Sequence, residues 1–575
     1  MVSKYKHLYM NAKNLSWVRK MDNYKKMNGV KSLGQYMTPR FIAEFMCSLI
    51  SKPPSASVLE PGAGEGVFLE VLLEKGFKNV KAYEIDSRLG KKSPISITYC
   101  DFLKIPPQPI YDVVIGNPPY VRWRNIPEGW RNLFKKQVYW RRIMNGLCDL
   151  TYAYIYHSVN FLKDNGELIF ICPLFWTETL HGKHLREYLS KHGSIELLIN
   201  LNEAKVFEQV SSTIIILKYV KHAKLPYVKI VEYRSKQPVT QHVVNRLSSL
   251  IRDLEIHSRE PSFYIDDGLY RAYLCEQFVG NEPWHPIPPT EKIVKEIETF
   301  CDVLRIGDIA EIGNGMVSGL DVAFRLDREE LKELNERERN SLIYVYKSGT
   351  LERFLPNREP IPYIFTNHIS SGKELEQSYP YFYQKLSRYR ERLRQRYQYN
   401  KDIPWWHWVF LRNKGLFEGY NMKIFVPSKE RYDIRGYFRF ALIRNEKNRT
   451  FYATQDVTAI CVRPETGVSI EYILGLLNSE PIQRWIMFKG FSRGGVHDFS
   501  EEPIRHIPLP RINWNNDNEA EIHRLIETVV KEILQHRKLD KIDEVNEYVV
   551  KLIELKKNTR IFQQNLDVYG KGYDF

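Results

Sequence analysis

No two of the seven cysteines in this 575-residue chain form a C-x-x-C pair; they stand apart at positions 47, 100, 148, 172, 275, 301 and 461. That scatter argues against a disulfide framework and against a clustered zinc site, so no metal is expected and a reducing, cytoplasmic setting is favoured. Long hydrophobic runs are lacking too. The longest, such as "STIIILKYV", are strand-sized, and the opening "MVSKYKHLYMNAKNLSW" has no apolar signal core. A membrane-embedded or secreted protein is therefore not expected. Glycine (31) and proline (30) are too sparse for an extended low-complexity region, and no internal repeat stands out.

What is present is a globular composition, 43% hydrophobic and 27% charged, at a length that predicts two to four domains. The net charge of +15 gives the first functional hint. A basic surface concentrates polyanions and binds them with a salt-dependent affinity, which makes nucleic acid the leading partner class.

From Ser57 to about Tyr219 short apolar runs ("SVLEPG", "VKAYEID", "YDVVIGN", "ELIFICP", "IELLIN", "STIIILKYV") alternate with helix-sized segments such as "TYAYIYHSVNFLKDN". This predicts an α/β fold, a mostly parallel sheet with helices on both faces. Beyond Pro261 the chain turns to irregular segments rich in Trp, Tyr, Arg and Pro. The domain boundary is expected within 240–290, giving a first domain of residues 1–260, with an N-terminal extension, and a second of 261–575. Apolar spacing from Asn518 to Lys557 predicts one or two helices.

"VLEPGAGEGVFLEVL" (58–72) has the form strand, glycine turn, helix. Gly62, Gly64 and Gly66 clear space for a ligand at the backbone, and the helix start that follows favours an anionic group. The spacing is not that of the dinucleotide fingerprint, and alone it is equally a tight turn. Glu84, in "YEID" about twenty residues on, is placed to accept from two ribose hydroxyls. Asp101 and Phe102 follow the strand "ITYC" and suit an adenine amino group and its ring face. A fourth strand delivers "NPPY" to the same edge: Asn117, whose side-chain oxygen joins the Pro118 carbonyl as a pair of acceptors, then Pro119, and then Tyr120, a ring able to stack on a base. Two acceptors can draw both protons of an exocyclic amine and expose its lone pair, electrostatic catalysis with no strong base.

"GQYMTPRFIAEFM", "LEPGAGEG", "YEID", "CDFL" and "NPPY", in that order, resemble the ordered motifs of the gamma-class, amino-group DNA adenine methyltransferases of restriction-modification systems. The resemblance covers about the first 220 residues and includes "CDLTYAYIYHSVNFLKDNGELIFICP" as a further motif. It implies a Rossmann-like S-adenosylmethionine-dependent methyltransferase domain followed by a mixed α+β target-recognition domain, acting on N6 of adenine in double-stranded DNA. It implies that Tyr36, Thr38 and Pro39 border the methionine end of S-adenosylmethionine, Glu60 and Gly62 its amino-acid moiety, Glu84 and Ile85 its ribose and adenine, and Asp101 with Phe102 its adenine. Asn117, Pro118, Pro119 and Tyr120 match the catalytic tetrapeptide. "AKVFEQVSSTIIIL" makes Phe207 the second ring around a flipped adenine. A cognate restriction endonuclease that shares the target site without being held in complex is a candidate partner, and a monomer or dimer is expected.

The segment after Tyr120, "VRWRNIPEGWRNLFKKQVYWRR", interleaves Arg122, Arg124, Arg131, Lys135, Lys136, Arg141 and Arg142 with tryptophans and is expected to hold phosphates next to the target, though a solvated basic helix face would read the same way. In the second half, "EIGNGMVSGLDVAF", "PYIFTNHI", "WWHWVFLR" and "KIFVPS" look like target-recognition segments. "KLSRYRERLRQRYQ" is expected to be a helix with arginines on several faces, and the glycine pair of "FSRGGVHDF" would admit a phosphate to the backbone. The competing readings are an RNA or protein-glutamine methyltransferase and a non-catalytic DNA-binding specificity subunit. "GQYMTP" with the basic second half weighs against the first, and the intact set Gly62, Glu84, Asn117 and Tyr120 against the second.

Overall fold

The computed structural model describes residues 34–570 other than 145, 208–211, 400–401 and 494, with residues 493 and 561–570 described by backbone alone. The N-terminal extension up to residue 33 and part of "AKVFEQVSS" lie outside the described residues. The chain divides into two compact units, Met1–Thr290 and Glu291–Phe575.

The first unit is built on one ten-stranded sheet. Its strands in chain order are β1 (Val58–Glu60), β2 (Val80–Glu84), β3 (Ile97–Tyr99), β4 (Tyr111–Gly116) and β5 (Leu162–Pro173). They continue as β6 (Gly193–Asn200), β7 (Ile214–Lys221), β8 (Tyr227–Tyr233), β9 (Tyr264–Asp266) and β10 (Tyr270–Glu276). In space the order is β3-β2-β1-β4-β5-β7-β6-β8-β10-β9. The run from β3 to β5 is wholly parallel. Strand β7 is antiparallel to both its neighbours, β5 and β6.

The central strands read as continuous apolar runs because both their faces are covered. Val113 and Ile115 of β4, with Ile169 and Ile171 of β5, pack into a core with Phe45 of α1 (Arg40–Ser48), Phe68 of α2 (Val67–Glu74) and Leu247 of Gln241–Ile256. The alternate residues Val114, Leu168 and Phe170 pack on the other side with Trp130 and Phe134 of α3 (Glu128–Lys136), Ile155 of α4 (Leu150–Phe161) and Leu185 of Lys183–His192. The α/β expectation is thus met. The hairpin β9–β10 pairs with β8 and extends the sheet, and the first unit runs on to Thr290, the far end of the expected 240–290 window and beyond the 260 set as the domain limit.

The second unit carries an antiparallel four-stranded sheet in the order Ala310–Asn314, Val457–Val462, Met422–Pro427, Ala441–Arg444. Trp405 and Trp408 of "WWHW" belong to its core with Phe324 and Phe425. The C-terminal periodicity resolves into two helices, Asp517–His536 and Ile542–Gly570, separated at Arg537, whose φ is +53°. The arginine-rich segment forms two short helices, Pro380–Ser387 and Arg390–Gln395, which bury Leu386 and Leu393 and leave Arg388, Arg390, Arg392 and Arg394 exposed. Of the glycine pair, Gly495 turns the hairpin between Ser492–Arg493 and Val496–Asp498 at φ +68°, and Gly494 lies outside the described residues. No helix among the described residues is long and apolar enough to cross a membrane.

Candidate active site

The carboxyl ends of four adjacent parallel strands meet at one cleft. Strand β1 ends at Glu60 and passes through Pro61, Gly62 and Gly64 into α2; β2 ends at Glu84; β3 leads to Cys100; β4 leads to Asn117. Strands β2 and β4 flank β1, and the order of connection reverses between them, the place where open α/β sheets bind ligands. The cleft is a concave site partly open to solvent, the kind of place at which α/β proteins bind small molecules. Gly62, Gly64, Glu84, Ile85, Asn117 and Pro119 all line it, with Tyr36 from the segment before α1. Residues separated by up to 83 positions in the chain are thus brought together.

The Glu84 carboxylate accepts from the amides of Gly64 (2.9 Å) and Asp86 (2.8 Å) and so fixes the glycine turn from below. Burial raises its pKa, with those two amides pulling the other way. Glu60 is 1% exposed and its Oε2 has no hydrogen-bond partner. Burial, then the charge of Glu84, pushes its pKa well above the ordinary range. Gly66 caps α2 at φ +91°, a conformation that side chains rarely adopt.

Asn117 is held by its nitrogen. Nδ2 donates to the Tyr36 carbonyl (2.8 Å) and to Thr38 Oγ1 (3.1 Å), while Oδ1 is buried with no partner. The surrounding loop is pinned on several sides. Gly34, at φ +63°, accepts from the Tyr120 amide (3.2 Å) and lies so close that a Cβ would meet the Tyr120 carbonyl at 2.7 Å. The Pro119 carbonyl accepts from Thr151 Oγ1 (3.2 Å), and Tyr120 OH donates to the Ile171 carbonyl (3.0 Å). The ring of Tyr120 lies 5.3 Å from Tyr36 and 6.2 Å from Phe207, at 31° and 69° respectively, and Tyr36 lies 6.0 Å from Phe207. Phe207, expected as a stacking ring, is thereby one of three that meet beside Asn117.

Other expected residues stand elsewhere. Thr38 touches Asn117, and the Pro39 carbonyl starts α1 by accepting from Ile42 (3.0 Å); neither lines the cleft. The Asp101 carboxylate is engaged within the protein: Oδ2 accepts from the Trp130 indole (2.8 Å) and Oδ1 from the Leu103 amide (3.2 Å). Phe102 is a core residue, 1% exposed, packed among Tyr154, His157 and Phe161. Trp130 and Tyr154 line the cleft instead, contributed by α3 and α4. In the sequence their only signal was membership of an aromatic-basic segment and of a helical motif.

The basic segment forms a short turn at Trp123–Asn125 and helix α3. Trp130 and Phe134 face inward, Arg122, Arg124, Lys135 and Lys136 are exposed, and Arg131 is half-buried. Among the described residues Arg124, Lys135 and Lys136 have no ion-pair partner, whereas Arg142 lies 3.7 Å from Glu187.

A Rossmann-like sheet with this cleft at its switch point is the architecture of a cofactor-dependent α/β enzyme, and with the relatives given below the cofactor is S-adenosylmethionine. The residues present fit that cofactor: the glycine turn leaves its backbone open and the Glu84 carboxylate reaches the cleft wall, while the unpartnered Glu60 oxygen, of a kind that suits an ammonium group, stands just behind the lining residues Pro61 and Gly62 and is not itself part of the lining. Residues 72–207 match the Eco57I restriction-modification methylase family. The chain is 36% identical over 548 residues to the type II methyltransferase M.HindII of Haemophilus influenzae, covering 92% of this chain and 99% of that one. It is 35% identical over 533 residues to M.HincII of Haemophilus influenzae, with the same coverage. The chain belongs to the type II restriction-modification methyltransferases and is a DNA methyltransferase of that kind of system. Its fold is also similar to that of the Type IIL restriction-modification enzyme MmeI, solved in complex with DNA, at a TM-score of 0.55 and 10% identity over 95% of this chain and 75% of the other.

Proposed function

We propose that the chain transfers the methyl group of S-adenosylmethionine to N6 of an adenine rotated out of double-stranded DNA. The observation that carries this is the Asn117 side chain, whose nitrogen is anchored while its oxygen is buried and unpartnered beside the cofactor cleft. An unpaired buried acceptor is unfavourable in the free protein, which makes it a ready site for a donor that arrives with the substrate. An exocyclic amine is such a donor. With one proton accepted by Asn117 Oδ1 and the other by the Pro118 carbonyl, the amine becomes pyramidal, and positive charge developing on nitrogen is stabilised by dipoles already in place. S-adenosylmethionine supplies an electrophilic methyl group held by a sulfonium.

The base would stack between Tyr120 and Phe207, which offsets part of the few kcal/mol needed to extrude a nucleotide. Parallel rings around a base stand about 7 Å apart, twice the optimal carbon-carbon contact. The observed 6.2 Å and 69° therefore imply that the rings part slightly and one turns as the base enters. Arg122, Arg124, Arg131, Lys135 and Lys136 are positioned along one short stretch for flanking phosphates, and the second unit is the target-recognition domain in this reading. A restriction endonuclease cutting the same sequence is the implied companion, and the cytoplasm the setting that suits seven free cysteines.

The decisive test incubates the purified protein with duplex DNA and methyl-labelled S-adenosylmethionine, then separates the nucleosides. Label in N6-methyl-2′-deoxyadenosine is expected; label in a cytosine product, or in RNA or protein offered in parallel incubations, would refute the assignment. Asn117→Ala should lower turnover by about three orders of magnitude, as loss of a preorganised polar group at the reacting atom does. DNA affinity, measured by gel shift, should stay within a few-fold. Normal turnover in that variant would remove Asn117 from the reaction.

A further inference from the structure

The Asn117 amide can sit in its slot in two orientations of nearly equal shape, and only one of them presents oxygen to the substrate. The choice is made by its neighbours. The Tyr36 carbonyl, 2.8 Å from Nδ2, can only accept, so a flipped amide would set two acceptors against each other. Thr38 Oγ1, 3.1 Å away, takes the second N–H. Both amide protons are then committed, and Oδ1 is left as the free, buried acceptor. Two donated hydrogen bonds also polarise the amide and increase the electron density on that oxygen.

We propose that Thr38 is a positioning residue: its hydroxyl, acting with the Tyr36 carbonyl, locks and polarises the Asn117 amide so that Oδ1 meets the attacking amine. This differs from the cofactor contact that the sequence resemblance implies for Thr38, and it rests on the reading of Asn117 given above. The structure supports the separation, since Thr38 touches Asn117 and does not line the cofactor cleft. Removing the hydroxyl leaves one buried N–H without a partner, and the amide then rocks between arrangements, most of them unproductive.

The test compares Thr38→Val, which keeps shape and loses the acceptor, with Thr38→Ser, which keeps the acceptor. Thr38→Val should lower kcat by about tenfold to a hundredfold, the range that corresponds to one unsatisfied buried group. Its KM for S-adenosylmethionine and its Kd for DNA should stay within about twofold, and Thr38→Ser should recover most of the rate. In an Asn117→Ala background Thr38→Val should have no further effect, because a residue acting through a partner is silent once the partner is gone. A kcat for Thr38→Val equal to wild type overturns the proposal, and so does a loss confined to cofactor KM. Thr38→Ala serves as the second truncation, with the same expected result, should the valine variant fold poorly in a thermal melt. Wild-type label in N6-methyl-2′-deoxyadenosine together with an unaffected Thr38→Val defeats only the role of Thr38; absence of that product defeats the reading of Asn117 as well.

Discussion

At the end of β1 the Glu60 carboxyl is almost fully buried and carries one unpartnered oxygen. Burial and the neighbouring Glu84 hold its pKa well above the ordinary 4.5. The sign of the consequence follows. A carboxyl whose folded pKa exceeds its unfolded one contributes stability that is fully present below about 4.5 and is lost as pH rises through the folded value. Glu60→Gln, neutral at every pH, should therefore raise the melting temperature of the cofactor-free protein at pH 8 and change it little at pH 5. S-adenosylmethionine brings an ammonium and a sulfonium, and a cation favours the ionised carboxylate. The same variant should then bind the cofactor at least about tenfold more weakly, as expected for losing a hydrogen bond to a charged group. Calorimetric titration in two buffers of different ionisation enthalpy checks the linkage directly: wild type should release protons on binding and the variant should release fewer. Equal affinity and equal proton release would show that Glu60 does not meet the cofactor. Residues of this type were legible in the sequence because the strand end and its glycine turn dictate them locally. Asp101 was not, since the indole that takes its carboxylate lies 29 residues further on, and no local pattern records that pairing. The core packing of Phe102 is equally invisible locally, because a ring after a strand end serves a core as well as a ligand.

The sheet elements were readable because the period changes between apolar runs and helical segments, and the expected strands formed where both faces could be buried. The hairpin β9–β10 falls inside the 240–290 window and is hard to assign from sequence, because an edge hairpin carries the same polar-aromatic mixture as the irregular segments that follow. Helix α3 shows how one element serves two ends. Its inner residues Trp130 and Phe134 fasten it to the core, and Trp130 reaches the cleft. Its last turn holds Lys135 and Lys136, exposed and, among the described residues, without ion-pair partners. Cations there also suit the negative end of the helix dipole, which is the purely structural explanation for them. The two explanations differ in their salt dependence. Lys135→Glu with Lys136→Glu should weaken DNA binding and flatten the plot of log K against log salt by roughly two units, about 0.9 for each phosphate no longer neutralised. Cofactor affinity should be unchanged. An unaltered salt slope would leave α3 as a solvated basic face and move phosphate binding elsewhere.

On the scale of the whole molecule, the cleft is contained within a single unit. Among the described residues, those that line it fall between Gly34 and Tyr154, and the ten-stranded sheet that carries it closes by Glu276, ahead of the division at Thr290. Both faces of that sheet have their own apolar cores, drawn wholly from the first unit. The second unit likewise has a separate core around Trp408 and Phe425. A fragment ending at Thr290 should therefore fold with a cooperative melt and bind S-adenosylmethionine within about threefold of the full chain, because the cleft keeps every residue that lines it. Reading a base sequence is a different task. It needs side chains reaching base edges over a surface on the order of 1,000 Å² or more, in addition to groups that hold phosphates. If the second unit supplies that surface, the fragment should lose site-specific methylation of duplex DNA while retaining weak, steeply salt-dependent binding through α3. Calorimetry with the cofactor and sequencing of the methylated product distinguish the outcomes. A fragment that methylates the same site at the full rate would place recognition in the first unit, and a folded fragment unable to bind the cofactor would show that the cleft depends on residues beyond 290.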